Sequence, residues 1–281
     1  MAKKTTTKKA AIKPVEEKAE LSTFNPEEDA GNDFSNDDLA IPRIGLLQDN
    51  SPQCKKKHDL YIDGAEAGMI CDTALETMWD GDEGLIVVPV SYKFTYIEWR
   101  LRTEGGGFVA EHNASDGAKL YAAAKEAEVE GKTVKIAPNS DGKHQLVPSA
   151  SYFIYVIGED GIPQPYAMSM ASSQIKKSKR WNTLINQLRV LRSGNSGGTY
   201  NPAMFYRSYH VTTVPESSNN NSWWGWKITA DKNVLELPQG EEIYTMAREF
   251  HKSISSGSVR AATHNEEAGA TSKEDSDDDA F

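Results

Sequence analysis

Short runs of β-branched and aromatic residues, separated by turn-forming residues, make up most of the middle of the chain. In order they are DLYI, GMIC, GLIVVPVSYKFTYIEWRLR, GFVAEH, SYFIYVIG, PYAMSM, MFYRSYHVTTV and WWGWKIT. β-Branched and aromatic residues favour strands, and the Gly, Pro, Asn and Asp residues between the runs favour turns. The GEDG sequence at 158–161 suits a hairpin connection. The pattern predicts an antiparallel β-barrel or sandwich.

Three helices are predicted between these strands. The first spans 116–131, where Asp116 is a candidate N-cap and Gly131 a stop signal. The second spans 172–193 and the third 240–257, and each places apolar residues at helical spacing. These are Trp181, Leu184, Ile185, Leu188 and Leu191 in the second helix, and Ile243, Met246, Ala247, Phe250 and Ile254 in the third. The predicted fold class is mainly β with a few helices (α+β).

The two ends of the chain differ in composition from its middle. Residues 1–38 carry nine acids and six lysines, and residues 264–281 carry seven acids and one lysine. The net charge of -10 therefore belongs to the ends, and the segment between them is almost neutral. Polar, charged segments bury too little apolar surface to offset chain entropy. We predict disordered arms at 1–38 and 257–281 around a core at 39–256.

Cysteine use and hydropathy indicate the cellular compartment. The two cysteines, Cys54 and Cys71, make no disulfide framework and fit a reducing cytoplasm. The N-terminal lysines precede no apolar signal region, and the longest apolar runs are too short to cross a bilayer. A cytoplasmic protein without a membrane partner is expected.

One internal interval contains no acid. Between Asp160 and Glu216 there are seven Lys or Arg residues and not one Asp or Glu. Six of the seven lie in the helix predicted at 172–193, namely Lys176, Lys177, Lys179, Arg180, Arg189 and Arg192. A helix with one sign of charge favours an anionic partner, although a solvated basic face is the plainer alternative. Trp181 in the same helix shares the phase of the leucines, which favours a core position over base stacking.

Aromatic strands add a second ingredient of a single-strand groove. Strand alternation places Tyr92, Phe94, Tyr96, Arg100 and Arg102 on one face, with Ile97, Trp99 and Leu101 on the other. Bases stack on rings for about 1–3 kcal/mol each, whatever their identity, while cations follow the phosphates. The predicted DNA-binding residues are Lys176, Lys177, Lys179, Arg180, Arg192, Arg100, Arg102, Arg207, Tyr92, Phe94, Tyr96, Tyr206, Tyr209, Trp223 and Trp224. The alternative for each ring is packing in the core.

Sequence patterns for catalysis are weak. SGNSGG around Ser196 is similar to a protease nucleophile loop, but Asn195 stands where an acid is usual and no matching histidine precedes it. The spacing of Cys54, His58 and Cys71 does not fit a zinc site. We expect no catalysis, no metal and no cofactor.

The chain ends in EDSDDDAF, a run of acids closed by a free aromatic residue. Such an end can insert its ring in an apolar pocket while basic residues hold the acids. The predicted partner-binding residues are Glu274, Asp275, Asp277, Asp278, Asp279 and Phe281. A solubilising tail is the alternative.

This tail resembles those of single-stranded-DNA-binding proteins from bacteria and T-odd coliphages. Ala280 stands where the bacterial tail usually has proline, which is nearer the phage style. Residues 39–112 also resemble phage early proteins described as single-stranded-DNA binding, through LAIPRIGLLQ, GLIVVPVSYKFTYIEW and GGGFVAEH. KKTTTKK at 3–9 is similar to the cooperativity segments of some phage binders. The resemblance implies an OB-like barrel with helical insertions and a tail that recruits other proteins.

We therefore expect a sequence-nonspecific single-stranded-DNA-binding protein of a bacteriophage, acting in replication, recombination or repair in the cytoplasm of an infected bacterium. Its tail would recruit a polymerase, helicase, nuclease or RNA polymerase, and the protein would form a homo-oligomer or a cooperative filament on DNA. The alternative is a strand-annealing recombination protein or a transcription cofactor that depends on single-stranded DNA. A DNA-processing enzyme and a virion component without DNA binding are the rivals from other classes.

Overall fold

The computed structural model describes residues 41–72, 74–193, 197–218 and 221–257. The strands are β1 (Arg43–Leu46), β2 (Ile70–Asp72), β3 (Thr77–Trp79), β4 (Leu85–Arg100), β5 (Phe108–Asn113), β6 (Lys125–Val129), β7 (Lys132–Ile136), β8 (His144–Ile157), β9 (Pro163–Ala171), β10 (Val190–Leu191), β11 (Thr199–Tyr200), β12 (Arg207–Ser218) and β13 (Asn221–Asn233). The α-helices are α1 (Ala114–Ala123), α2 (Ile175–Gln187) and α3 (Gly240–Ser255).

Eleven of the described strands form one sheet, in which β4 and β8 are the central pair. The main path runs β13-β12-β4-β8-β9-β1-β2-β3, and the neighbours are antiparallel except for β1 with β9. The edge of β4 away from β8 pairs first with β12 and then with β5, while β7 and β6 extend the sheet beyond the start of β8. The sheet curls into a half-barrel. The predicted OB-like α+β barrel with helical insertions is confirmed at this level.

A bulge in β4 determines which of its side chains lie on the inner face of the sheet and which lie on the outer face. The register with β8 shifts between Pro89 and Ser91, which leaves Val90 as the extra residue. Because side chains alternate along a strand, one extra residue reverses the alternation. Val90 therefore packs on the outer face, under α3, whereas Tyr92 lies beside Tyr152 on the inner face.

Helix α2 fills the inner face of the half-barrel. Trp181 is 1% exposed, and its ring centroid lies 4.3 Å from that of Tyr152 and 5.5 Å from that of Tyr209. Ile185 and Leu184 pack against the same cluster. The Trp181 side chain is thus a core anchor, as its phase with the leucines predicted.

Helix α3 covers the outer face. Ile243 and Ala247 are fully buried against Val90 and Tyr155, and Phe250 and Ile254 pack beside them. This leaves the polar residues of α3 in solvent and fixes the helix across β4 and β8. The apolar face predicted for 240–257 is confirmed, except that Met246 is exposed.

Two glutamine side chains bond to the backbone of the edge strand β13. Gln48 Nε2 donates to the Trp224 carbonyl and Gln48 Oε1 accepts from the Trp224 amide, at 3.0 and 2.8 Å. Gln174 Oε1 accepts from the Trp226 amide at 3.0 Å. The side-chain amides therefore replace the backbone partners that an edge strand lacks. The Trp224 ring packs on Gly68, where a Cβ would lie 2.8 Å from Trp224 Cδ2.

The first two helices are shorter than predicted. Helix α1 ends at Ala123, and residues 125–129 form β6 instead of a helical continuation to 131. Pairing with β7 accounts for this, since Glu126 forms an ion pair with Lys135 at 3.0 Å. Helix α2 ends at Gln187, and Leu191 belongs to β10 rather than to a helix.

The predicted arms lie outside the described residues, apart from Gly257. Their boundaries stay predictions. No helix in the described ranges combines the length and apolar character needed to cross a bilayer.

Candidate nucleic-acid interface

A row of aromatic rings runs along the inner face of β4. Tyr92 is 39% exposed, and its ring centroid lies 5.0 Å from that of the buried Tyr152 on β8. Tyr92 therefore packs on a fully buried ring on one side and is open to solvent on the other. This combination suits a stacking platform for a planar partner.

The row continues from β4 onto α1. Phe94 and Tyr96 have centroids 5.4 Å apart, and Tyr96 lies 5.3 Å from Tyr121 of α1. Gly117 allows α1 to approach this closely, because a Cβ there would lie 2.8 Å from Tyr96 Cβ and Cγ. We call Tyr92, Phe94, Tyr96 and Tyr121 the ring row. All but Tyr92 are partly buried.

Helix α2 is bonded to Tyr152, the ring on which Tyr92 packs. The Tyr152 hydroxyl lies 2.8 Å from Ser178 Oγ and 2.9 Å from Asn182 Oδ1, which holds α2 against β8. Burial raises the pKa of Tyr152, so its hydroxyl stays protonated. Lys179 is three residues from Asn182, about 60° around the helix. Lys176 and Arg180 start about 120° and 160° from Asn182, so Lys179 is the exposed cation of α2 that starts nearest to the contact with Tyr152.

Exposed cations lie on α2 and near the Tyr121 end of the ring row. Lys176, Lys179 and Arg180 are exposed on α2, and no acid among the described residues forms an ion pair with any of them. At the Tyr121 end, Arg100 is the exposed last residue of β4 and Lys135 Nζ lies 5.6 Å from the Tyr121 ring centroid. Rings flanked by cations are the arrangement that binds an unpaired nucleic-acid strand without reading its sequence.

Lys177 departs from the predicted set of phosphate contacts. Its ammonium group lies 2.6 Å from Glu216, whose other oxygen accepts from Trp223 Nε1 at 2.8 Å and from Gln174 Nε2 at 3.2 Å. Burial alone would raise the pKa of Glu216, but the hydrogen bonds from Lys177 and Trp223 outweigh it and hold that pKa below its usual value. Glu216, the first acid after the acid-free interval, thus neutralises a cation within it.

A carboxylate with two histidines lies on the same face of the sheet, beyond Tyr96. Glu98 Oε2 lies 2.8 Å from His112 Nε2, and Glu98 Oε1 lies 2.7 Å from His144 Nδ1. Burial of Glu98 acts to raise its pKa, but the two histidine hydrogen bonds lower it overall. The carboxylate is therefore ionised at neutral pH. It bonds β5 and β8 to β4, two residues before Arg100.

The family model described as Pam3 phage gp34-like protein matches residues 8–260. The chain belongs to this family. No curated protein and no solved structure matches it. Membership in the gp34-like family supports the bacteriophage origin that the tail resemblance implied, and it states no activity.

In this gp34-like chain, three predicted contact residues lie away from the ring row at the start of β12. Tyr209 is 1% exposed and packs on Trp181, so its ring is not available for stacking. Its burial also raises its pKa to about 12. Tyr206 and Arg207 line an open cavity of about 530 Å³ together with Asp231 and Glu236. Arg207 therefore lines a cavity that two acidic side chains also line.

The tryptophans of β13 also lie apart from the ring row. Trp223 is bonded to Glu216 on the flank of α2 that carries Lys177, about 140° around the helix from Asn182. The Trp224 ring packs on Gly68. The sequence pattern could not show whether these indoles pack within the protein or stack on bases, because tryptophans beside polar loop residues fit both roles.

The remaining predicted residues divide between two loops and the tail. Arg102 lies in a single 3-10 turn (Arg102–Glu104) after β4, so the alternation that placed it with Tyr92 ends at Arg100. Arg192 follows β10, and its guanidinium carbon lies 5.7 Å from the Tyr200 ring centroid. Glu274 to Phe281 lie outside the described residues, as does Ser196.

Two groups at the interface were missed in the sequence. Tyr121 lies in a helix with no other aromatic residue and gave no periodic signal, whereas Glu216 was seen only as the boundary of the acid-free interval. Within the described ranges no three His, Cys, Asp or Glu side chains form a group able to hold a metal ion, and Cys54 and Cys71 are free thiols.

Proposed function

We propose that this gp34-like protein binds single-stranded DNA without sequence preference. The observation that carries the proposal is the solvent-open Tyr92 ring, which packs on the buried Tyr152 ring to which the basic helix α2 is bonded. Bases stack on Tyr92 and on the accessible edges of Phe94 and Tyr96, while Lys176, Lys179, Arg180 and Arg100 contact phosphates. Duplex DNA buries its base faces, so it gains only the phosphate contacts.

The test is the affinity for fluorescein-labelled oligo-dT and for a duplex of the same length, measured by fluorescence anisotropy at several salt concentrations. We expect preference for the single strand and a log–log salt slope of about -0.7 for each phosphate neutralised. Equal affinity for the two DNAs contradicts the proposal.

Substitutions of Tyr92 locate the contact. Tyr92→Ala removes one stacking ring and should weaken oligo-dT binding about tenfold, within the range of about 1–3 kcal/mol per stacked base. Tyr92→Phe keeps the ring and should bind within about twofold of the wild type. If both variants bind like the wild type, the ring row is not the binding surface.

We further propose that the acidic tail recruits replication or recombination proteins and competes with DNA for the same cations. A tethered segment acts at an effective concentration on the order of millimolar, so a weak contact is sufficient. Deleting residues 274–281 should tighten oligo-dT binding, most clearly at low salt. Unchanged affinity removes the competition while leaving recruitment, which pull-down with the immobilised tail peptide tests separately.

A role in strand annealing or in transcription that depends on single-stranded DNA is compatible with the same surface. Mixing complementary oligonucleotides with and without the protein measures annealing directly. Incubating labelled DNA with the protein and magnesium tests the proposed absence of catalysis, since cleavage products contradict it. A virion component without DNA binding would fail the anisotropy measurement.

A further inference from the structure

The Glu98 carboxylate holds two histidine rings in line with the ring row. His112 of β5 lies directly across the strand pair from Tyr96, and His144 of β8 lies directly across from Arg100. Side chains directly opposite each other in an antiparallel pair have Cβ atoms about 5 Å apart. The two imidazoles therefore occupy the interval between Tyr96 and Arg100 on the inner face.

The hydrogen bonds to Glu98 determine which nitrogen of each ring is left for a ligand. An ionised carboxylate only accepts, so His112 donates from Nε2 and His144 from Nδ1, at 2.8 and 2.7 Å. The other nitrogens, Nδ1 of His112 and Nε2 of His144, have no hydrogen-bond partner among the described residues. The two side chains are 22% and 23% exposed, so both rings are open to solvent in part.

Protonation reverses the charge of this cluster. With neutral imidazoles it carries one negative charge, that of Glu98, and each free nitrogen is a hydrogen-bond acceptor. With protonated imidazoles it carries two positive charges against one negative, and each free nitrogen is a donor. Imidazoles change charge between about pH 5 and 8, where the lowered pKa of Glu98 keeps its carboxylate ionised. The cluster thus repels a phosphate at high pH and attracts one at low pH.

The charged groups nearest to the cluster do not cancel this change. Arg100 is exposed on the same face of β4. Asp116 of α1 lies close to His112, which helps to lower the pKa of Asp116 after the larger effects of hydrogen bonds from Asn113 and Lys119. The Asp116 carboxylate already has Lys119 as its counter-charge, at 3.3 Å.

The neighbouring elements carry more cations than acids. The remaining charged side chains of β4, β5, β7 and the turn before β8 are Lys93, Glu111, Lys132, Lys135, Asp141 and Lys143. Of these, Lys93 and Glu111 form an ion pair at 3.1 Å on the outer face. An anion at the two histidines is therefore surrounded by a net positive charge.

We propose that His112 and His144 form a phosphate-binding site for single-stranded DNA that operates when their imidazoles are protonated. The strand that stacks on the ring row continues towards Arg100, so its backbone passes over the two rings. His112 Nδ1 and His144 Nε2 then donate to phosphate oxygens. The site deepens the proposed function, because it rests on single-strand binding by the ring row.

Proton uptake on DNA binding tests the site directly. Oligo-dT is titrated into the full-length protein by calorimetry at about pH 6.5, in two buffers with different ionisation enthalpies. We expect the wild type to take up protons on binding, because a ligand that prefers the protonated form promotes protonation. Anisotropy should show about tenfold tighter binding at about pH 5.5 than at about pH 8, with a log–log salt slope steeper by about 0.7.

The matched variants differ only in which histidines they remove. His112→Gln/His144→Gln keeps a side-chain N–H for Glu98 at both positions but gains no charge, so it should lose both the proton uptake and the tighter binding at low pH. His210→Gln is the control and should retain both. His210 is a histidine on the outer face at the other end of β4, where its Nε2 lies 2.7 Å from the Glu83 carbonyl oxygen.

Each outcome separates the histidine site from the proposed function. Wild-type binding without proton uptake overturns the site while single-strand binding stands, whatever the variants do. Uptake that persists in His112→Gln/His144→Gln overturns it as well, since other groups would then be responsible. If the uptake disappears when residues 274–281 are deleted, it arises from release of the tail and the site is wrong. A wild-type protein that binds oligo-dT at neither pH overturns the proposed function itself.

Discussion

At the scale of single residues, the Lys177–Glu216 pair shows how one acid changes the electrostatics of a basic helix. Gly225 makes room for the pair, because a Cβ there would lie within 2.5 Å of Lys177 Nζ. The ion pair leaves Lys176, Lys179 and Arg180 as the exposed cations of α2. Counting charges along the sequence therefore overstates the number of phosphates that this helix can neutralise.

Glu216→Gln should leave the buried Lys177 ammonium without its counter-charge and lower the free energy of unfolding by about 1–3 kcal/mol. We expect oligo-dT affinity and its log–log salt slope to stay close to those of the wild type, because Lys177 Nζ is shielded from solvent. Urea unfolding measures the stability, and anisotropy titrations at four salt concentrations measure the binding.

The control for this substitution is Glu159→Gln, which removes one exposed negative charge from the β8–β9 turn. A steeper salt slope in Glu216→Gln alone would contradict the buried position of Lys177.

Glu98 gives a prediction for pH dependence. Its pKa is lowered in the folded protein from the ordinary value of 4.5. Its bonds to His112 and His144 therefore stabilise the fold above about pH 4.5, and this stabilisation is lost as the pH falls through the lower folded pKa. Glu98→Gln should reduce the free energy of unfolding by about 1–2 kcal/mol at pH 7.

Urea unfolding at pH 7 and below pH 3 measures this difference. The difference between wild type and Glu98→Gln should vanish at the lower pH, where both side chains are neutral. An exposed glutamate in the β8–β9 turn, Glu159, provides the control substitution Glu159→Gln. A destabilisation that is the same at both pH values would contradict the charge-based account.

At the scale of elements, the bulge at Val90 and the close approach of α1 create the ring row. The row of Tyr92, Phe94 and Tyr96 along one strand face could be predicted from alternation alone. The sequence did not predict that this face is the inner one. The bulge depends on the pairing with β8 and leaves no periodic pattern in the sequence. Tyr121 joins the row only through the packing of α1.

Gly117→Ala should displace Tyr96 without removing a ring. Alanine favours a helix over glycine by about 1 kcal/mol, but overpacking against the Tyr96 ring costs about 1–3 kcal/mol. We expect the clash to win, with a lower melting temperature and weaker oligo-dT binding. Ser115→Ala, on the exposed side of α1, is the control and should change neither. A more stable Gly117→Ala protein would contradict the packing described here.

The helix predicted at 116–131 shows where local pattern fails. Alanine, lysine and glutamate between 122 and 128 favour a helix, yet residues 125–129 form an edge strand. The ladder with β7 and the Glu126–Lys135 pair override the local preference, because strand pairing depends on residues that the helical pattern does not include. The main strands and α3, by contrast, could be predicted from the sequence because each buries one continuous apolar face.

At the scale of the whole molecule, the charges divide by region. The acids of the sequence concentrate at its two ends, while the interval from 161 to 215 supplies α2, the β10–β11 hairpin and the start of β12. An anionic strand is attracted to that interval and repelled by the acidic C-terminal end, which is the division of charge that the proposed DNA binding requires.

Photocrosslinking tests the central claim most directly. An oligonucleotide carrying 5-bromodeoxyuridine is irradiated with the full-length protein, and the attached peptides are identified by mass spectrometry after trypsin digestion. The account predicts crosslinks to peptides that contain Tyr92, Phe94, Tyr96 or Tyr121, with loss of the Tyr92 crosslink in Tyr92→Ala. Crosslinks confined to peptides of β13 or α3, with none from β4 or α1, would contradict it.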